Sequence, residues 1–262
     1  MDLGLKGKIA LVAGASQGLG FAAAKALGAE GAILAICSRD EAHLLKAAGK
    51  MQTQGIEVMT TKADVSNPTQ ARAFVMDAID RLGGVDIIVN NAGGPPPMAF
   101  EEIDPDMWEY GFRLNLLSTI EMTKTALPSM KAKRWGRIIN MASVAVKQPI
   151  DDLIISNTIR CGVIGLAKTL SKELAPYNIT VNNICPGYFL TDRVSNLASS
   201  IAEEKGGNPE DVIAGWEREI PFKRLGAPEE FGSLVAFLAS ENASYITGTS
   251  LQIDGGFYRG IM

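Results

Sequence analysis

Long apolar runs are missing from this chain. No stretch approaches the roughly 18 consecutive apolar residues of a bilayer-spanning helix, so no membrane span is expected. Basic clusters are scarce: none is longer than Lys131-Ala132-Lys133-Arg134 and the formal net charge is -4, so nothing points to a nucleic-acid partner. Cysteine is sparse and odd in number. Cys37, Cys161 and Cys185 lie far apart, with neither a metal-ligand spacing nor a disulfide framework, which makes a reducing cytoplasm the default expectation. The opening residues, Met1 to Lys8, lack the cationic-then-apolar order of a signal peptide. The single histidine, His43, falls in a polar helical stretch and reads as a surface side chain. No internal repeat, low-complexity tract or composition shift marks a linker, so residues 1–262 are expected to form one domain.

What is abundant is glycine, 27 residues of it, which suits many tight strand-to-helix turns. Short runs nearly continuous in Val, Ile and Ala occur at residues 9–13, 32–37, 57–62, 85–89, 137–141, 180–184 and 251–253. They read as strands buried on both faces. Between them, residues 18–29, 68–82, 105–130, 155–175 and 228–239 carry helical spacing, and Pro68, Pro105 and Pro228 stand where helices would begin. This alternation predicts an α/β fold with a parallel sheet covered by helices on both faces. Two loops stand out. Gly93-Gly94-Pro95-Pro96-Pro97 should be stiff and extended. The stretch 191–221, rich in Ser, Glu, Gly and Ala, reads as a pair of helices inserted after the sixth strand, where a mobile substrate lid is expected.

The segment Ala13-Gly14-Ala15-Ser16-Gln17-Gly18-Leu19-Gly20 follows the first strand and opens a helix. Such a turn lets backbone N–H groups approach a pyrophosphate, and the helix N-terminus favours its charge. Glycines alone would also suit a tight turn with no ligand. At the end of the second strand stand Ser38 and Arg39. An acid there would bind a ribose 2′-hydroxyl, whereas an Arg fork holds a 2′-phosphate, so NADP(H) is favoured over NAD(H). Asp40 and Glu41 follow at once and could compete for the guanidinium.

With Asn90-Asn91-Ala92-Gly93, the lone Asn115, Ser143 closing a strand, and Pro186-Gly187, these motifs resemble the short-chain dehydrogenase/reductase family from about Leu5 to Phe257. The C-terminal text Ile220 to Glu230 and Tyr245 to Gly256 is close to that of 3-oxoacyl-carrier-protein reductases. The resemblance implies a Rossmann-type, doubly wound, parallel seven-stranded sheet and hydride transfer between the cofactor and a small carbonyl or alcohol, including acyl-carrier-linked ones. It implies that Gly14, Ser16, Gln17, Gly18, Leu19 and Gly20 hold the cofactor. Asp64 and Val65 would contact adenine, Asn91, Ala92 and Gly93 would support the cofactor, and Pro186, Gly187 and Thr191 would touch the nicotinamide amide. A homotetramer is the usual assembly of such chains.

One departure is central. The family places a Tyr thirteen residues after the catalytic Ser and a Lys four residues later; here those positions read Ser156 and Arg160. The resemblance carries Asn115 and Ser143 over with their roles in the water chain and at the carbonyl. A serine hydroxyl is a far weaker acid than a phenol of pKa about 10, and Arg stays charged, so it can bind ribose but not relay protons. Tyr188 is an alternative donor or a packing aromatic. Asp151 and Asp152 are a paired-carboxylate acid or helix N-terminal charge, and Lys147 reads as solvated. The rival reading is a nucleotide-binding protein without turnover, a sensor or partner subunit.

Overall fold

Consecutive apolar residues of each strand divide between two cores, one on each side of a sheet. In the computed structural model, which describes residues 2–261, Ala10 and Val12 face one core while Ile9 and Leu11 face the other. Leu34 and Ile36 divide from Ala35 and Cys37 in the same way. This period of two is why the strand runs read as continuously apolar. Met1 and Met262, the ends of the expected domain, lie outside the described residues.

The elements run β1 (Ile9–Val12), α1 (Gly18–Ala29), β2 (Ile33–Ser38), α2 (Glu41–Gln52), β3 (Val58–Lys62), α3 (Pro68–Leu82) and β4 (Ile87–Asn90). They continue with α4 (Pro105–Gly111), α5 (Ser118–Lys133), β5 (Gly136–Met141), α6 (Ile154–Leu174), β6 (Ile179–Pro186), α7 (Asp192–Lys205), α8 (Pro209–Glu219), α9 (Pro228–Ala239) and β7 (Ser250–Ile253). The strands form one seven-stranded parallel sheet in the order β3-β2-β1-β4-β5-β6-β7. The order reverses between β1 and β4, the topological switch point where doubly wound sheets open a ligand crevice. Side chains from α1, α2 and α9 fill one core, and those from α3, α5 and α6 fill the other.

Helix starts follow local chemistry. Asn67 accepts from the Thr69 and Gln70 N–H groups ahead of Pro68, and Asp104 accepts from Met107 ahead of Pro105. The continuous helix expected over residues 105–130 is instead broken: a π-helical turn, Phe112–Leu117, separates α4 from α5. The extra residue leaves backbone carbonyls out of the regular ladder. The hydroxyls of Ser118 and Thr119 donate to the carbonyls of Leu114 and Asn115, the latter at 2.9 Å. The fourth strand also starts later than residues 85–89 suggest, because Asp86 accepts from the Ile9 N–H and anchors Lys133. Two helices, α7 and α8, occupy most of residues 191–221 and pack on each other. No helix among the described residues is long and apolar enough to cross a membrane.

Candidate active site

The turn after β1 is shaped by glycines that tolerate what other residues do not. Gly14 and Gly18 adopt φ of +59° and +57°, in the left-handed region. A Cβ at Gly20 would collide with the Gly14 carbonyl oxygen and the Asn91 amide. Helix α1 therefore packs flush against the turn. Its N-cap residue, Gln17, makes no side-chain capping hydrogen bond, whereas Asp40, Asn67, Asp104 and Thr191 cap α2, α3, α4 and α7. The first N–H groups of α1 are left for another acceptor, and a diphosphate fits that set of donors.

At the end of β2 the buried Ser38 hydroxyl donates to Ser16 at 3.0 Å, tying the two turns together. Arg39 is exposed. The two carboxylates after it are engaged elsewhere: Asp40 with His43 at 3.0 Å and Glu41 with Lys62 at 3.5 Å. Among the described residues Arg39 makes no ion pair, so the competition foreseen from the sequence does not occur. Asp64 accepts from the Ser66 N–H and hydroxyl at 2.9 and 2.8 Å, and Val65 is buried beside it.

The loop after β4 joins this cradle to the rest of the cleft. Asn91 donates through Nδ2 to the carbonyls of Ala13 and Gly14, at 2.9 and 3.1 Å. Two residues on, past Ala92, the Gly93 carbonyl accepts from Asn115 Nδ2 at 2.8 Å and from Arg160 Nη2 at 3.4 Å. Asn115 lies in the π-helical turn, buried, and its Oδ1 has no partner within the protein among the described residues.

Arg160 is 7% exposed and spends its fork on backbone and a hydroxyl. Nη1 donates to the carbonyls of Met141 at 2.7 Å and Ala142 at 3.1 Å, at the end of β5, and Nε donates to Ser156 Oγ at 3.1 Å. Burial, and then the charge of Arg193, lower its pKa to about 10, while Cys185 pushes the other way; it is a cation at neutral pH. Ser143 follows Ala142 directly, and its Oγ accepts from the Ala145 N–H at 3.1 Å. Asn115, Ser143, Ser156 and Arg160 thus gather around Gly93 and the end of β5.

Tyr188 packs on the cluster that includes Val144, next to Ser143. Its ring stacks on Trp216 of α8 at 4.7 Å between centroids and meets Phe257 edge-on at 5.5 Å. Burial, then Glu219 and Asp151, raise its pKa, which makes it a weaker acid than an exposed phenol. Asp151 and Asp152 are exposed, and the Asp152 carbonyl accepts from Met98. Pro186 ends β6. A Cβ at Gly187 would lie 2.8 Å from the Asp254 Cβ, so that turn also needs glycine. The Thr191 methyl comes within 3.6 Å of where a Gly18 Cβ would stand, which puts the start of α7 above the glycine turn.

Two features escaped the sequence reading. Arg193 donates from α7 to the carbonyls of Gly94 and Pro95, at 3.2 and 3.5 Å, and so clasps the inserted helices to the β4 loop. The residue is exposed, but its guanidinium end turns inward and its pKa is lowered by that burial. A cation in the first turn of a helix opposes the helix dipole, and that misplacement was the available signal. The second is a ladder beneath the cleft. Asn90 Nδ2 donates to Asn140 Oδ1, Asn140 Nδ2 to Asn183 Oδ1, and Asn183 Nδ2 to Ser250 Oγ, at 2.8, 3.0 and 3.0 Å. Asn90, Asn140, Asn183 and Ser250 are in register across four strands.

Residues 14–258 match the family model described as enoyl-(acyl carrier protein) reductase. The chain is 35% identical over 258 residues to D-beta-hydroxybutyrate dehydrogenase of Cupriavidus necator, covering 97% of this chain and 98% of that one. It is 31% identical over 259 residues to 3-oxoacyl-[acyl-carrier-protein] reductase of Aquifex aeolicus, covering 98% and 100%. The L-sorbose reductase of Gluconobacter frateurii, solved with NADPH and L-sorbose, superimposes with a TM-score of 0.95 at 32% identity over the whole of both chains.

Proposed function

Because this chain belongs to the short-chain dehydrogenase/reductase family, we propose that it is an NADP(H)-dependent oxidoreductase acting on a small carbonyl or alcohol through an altered catalytic set, with Ser156 and Arg160 at the positions where the motif resemblance implies Tyr and Lys. The observation that carries this reading is the shared 91–93 loop: Asn91 holds the glycine cradle, and Gly93 holds Asn115 and Arg160. A cofactor bound along that loop would have its diphosphate at Gly14, Ser16, Gln17, Gly18, Leu19 and Gly20, and its adenine side at Asp64 and Val65. Pro186, Gly187 and Thr191 close the nicotinamide end. When bound, the nicotinamide supplies or accepts the hydride. Asn91 and Ala92 support it from below, Arg160 offers the remaining N–H of Nη2 to a ribose hydroxyl, and Ser143 and Ser156 orient the substrate oxygen. Helices α7 and α8 act as the substrate lid of a single domain, and the stacked Tyr188 and Trp216 form its apolar wall.

Ser38 and Arg39 support NADP(H) over NAD(H), since an unpaired guanidinium beside the ribose is worth on the order of 1.5–3 kcal/mol to a 2′-phosphate. Calorimetric titration with both cofactors tests this: NADPH should bind about tenfold or more tightly, and Arg39→Ala should weaken only NADPH. Equal affinity refutes it. A homotetramer is proposed on the length of α5 and α6 and on Phe112, 39% exposed beside a cavity of 810 Å³ between α3 and α4.

A further inference from the structure

Ser143 and Ser156 carry two hydroxyls, Ser143 directly after Ala142, which Arg160 also contacts, and both already accept one hydrogen bond: Ser143 Oγ from the Ala145 N–H, Ser156 Oγ from Arg160 Nε. Among the described residues neither hydroxyl donates its own proton to a protein acceptor. Each proton is therefore free to point at a ligand. Behind Ser156 sits a buried guanidinium whose remaining bonds go to the carbonyls of Met141, Ala142 and Gly93, and which makes no ion pair among the described residues. Its charge is uncompensated, and it polarises the Ser156 hydroxyl directly.

Such a pair differs in kind from a tyrosine and a lysine. A phenol can give its proton away. A serine hydroxyl resembles water, a far weaker acid than a phenol, and holds its proton against any oxygen less basic than an alkoxide. What it can do is donate a hydrogen bond that a fixed positive charge strengthens. The oxygen that suits this arrangement stays negatively charged: an enolate is about as basic as a phenolate, whose phenol has a pKa of about 10, whereas an isolated alkoxide is about as basic as hydroxide.

The geometry points to an oxyanion site in which Ser143 and Ser156, the latter backed by Arg160, stabilise negative charge on the substrate oxygen, so that the substrate class is one whose reduction passes through an enolate, a conjugated enone. This rests on the reading above that the cleft is the reaction centre. With a reduced nicotinamide bound, hydride would add to the β-carbon of the enone, the C=C electron pair would pass to the oxygen as the enolate, and the α-carbon would then take its proton from water, so the two serine donors end the reaction with their protons unmoved.

The test uses p-nitrophenol, whose phenolate absorbs in the visible and whose neutral form does not. It is titrated into the whole protein, alone and with NADP+, at a pH about one unit below its own pKa. The expected result is saturable binding of the phenolate with one proton released to buffer per probe bound. Ser156→Ala should weaken phenolate binding about tenfold or more, and Ser143→Ala should act likewise. Ser156→Thr should restore it. An unchanged circular dichroism spectrum and a cooperative thermal transition in Ser156→Ala show that the variant is folded. Binding as neutral phenol, no saturable binding, or full phenolate affinity in Ser156→Ala would each overturn the inference. NADPH titration separates this from the wider reading: a chain that ionises the phenol yet binds no NADPH refutes the proposed function and leaves the oxyanion site standing, and the reverse result refutes the oxyanion site alone.

Discussion

Restoring the family's acid should recover its chemistry, and the packing around Arg160 says that this takes two substitutions. Ser156 and Arg160 are each 7% exposed and hydrogen-bonded to one another. Ser156→Tyr alone would push a phenol into a filled site and break the Nε bond. Overpacking costs about 1–3 kcal/mol, and the lost bond adds about 1 kcal/mol. Arg160→Lys alone replaces a fork that serves Ser156, Met141, Ala142 and Gly93 with an ammonium that has three donors on a single nitrogen. At least one buried acceptor is left unmet, at about 1–3 kcal/mol. In the double variant the shorter lysine vacates space for the ring. The two costs should then fall short of their sum by about 1–2 kcal/mol in a double-mutant cycle measured by urea unfolding. The same variant should gain a positioned general acid, worth about 10²–10⁴-fold in rate, or about 2.7–5.4 kcal/mol of barrier. Stopped-flow consumption of NADPH with an acetoacetyl thioester and with a simple ketone reads that gain. Strictly additive costs with no gain in turnover would refute the reasoning, as would a wild type that already reduces the simple ketone briskly.

Three other outcomes follow from the same contacts. Asn140→Ala removes the middle of the asparagine ladder and leaves Asn183 Oδ1 without its donor, so urea unfolding should show a loss of about 2–4 kcal/mol; a loss under about 0.5 kcal/mol would mean the ladder is energetically idle. Arg193→Gln should raise hydrogen exchange across residues 192–205 about tenfold while moving the global unfolding midpoint little, because only the clasp to Gly94 and Pro95 is lost. Light scattering at micromolar concentration should give about four times 27.9 kDa, and a monomer mass would refute the tetramer.

What could be read in the sequence was whatever local chemistry decides. Residues 18–29, 68–82 and 228–239 are helical from end to end as the spacing predicts, because a glycine or proline fixes each start. The glycine turn was legible for the same reason: Gly14 and Gly18 sit where φ is positive, and Gly20 where no Cβ fits. The π-helical turn was not, since Phe112–Leu117 has ordinary helical composition and its extra residue is held by Ser118 and Thr119 one turn later. The asparagine ladder was invisible because it needs the register of four strands, each read separately from sequence. The proposed change at Ser156 and Arg160 lies between these cases. The residue types at Ser156 and Arg160 were plain, and they argued for a weakened site. Only the structure shows that the guanidinium is buried, free of carboxylates among the described residues, and donating to Ser156. An exposed arginine at that place would be a substitution that lost an acid. A buried one costs several kcal/mol to desolvate, and the anionic oxygen proposed next to Ser156 would offset that cost.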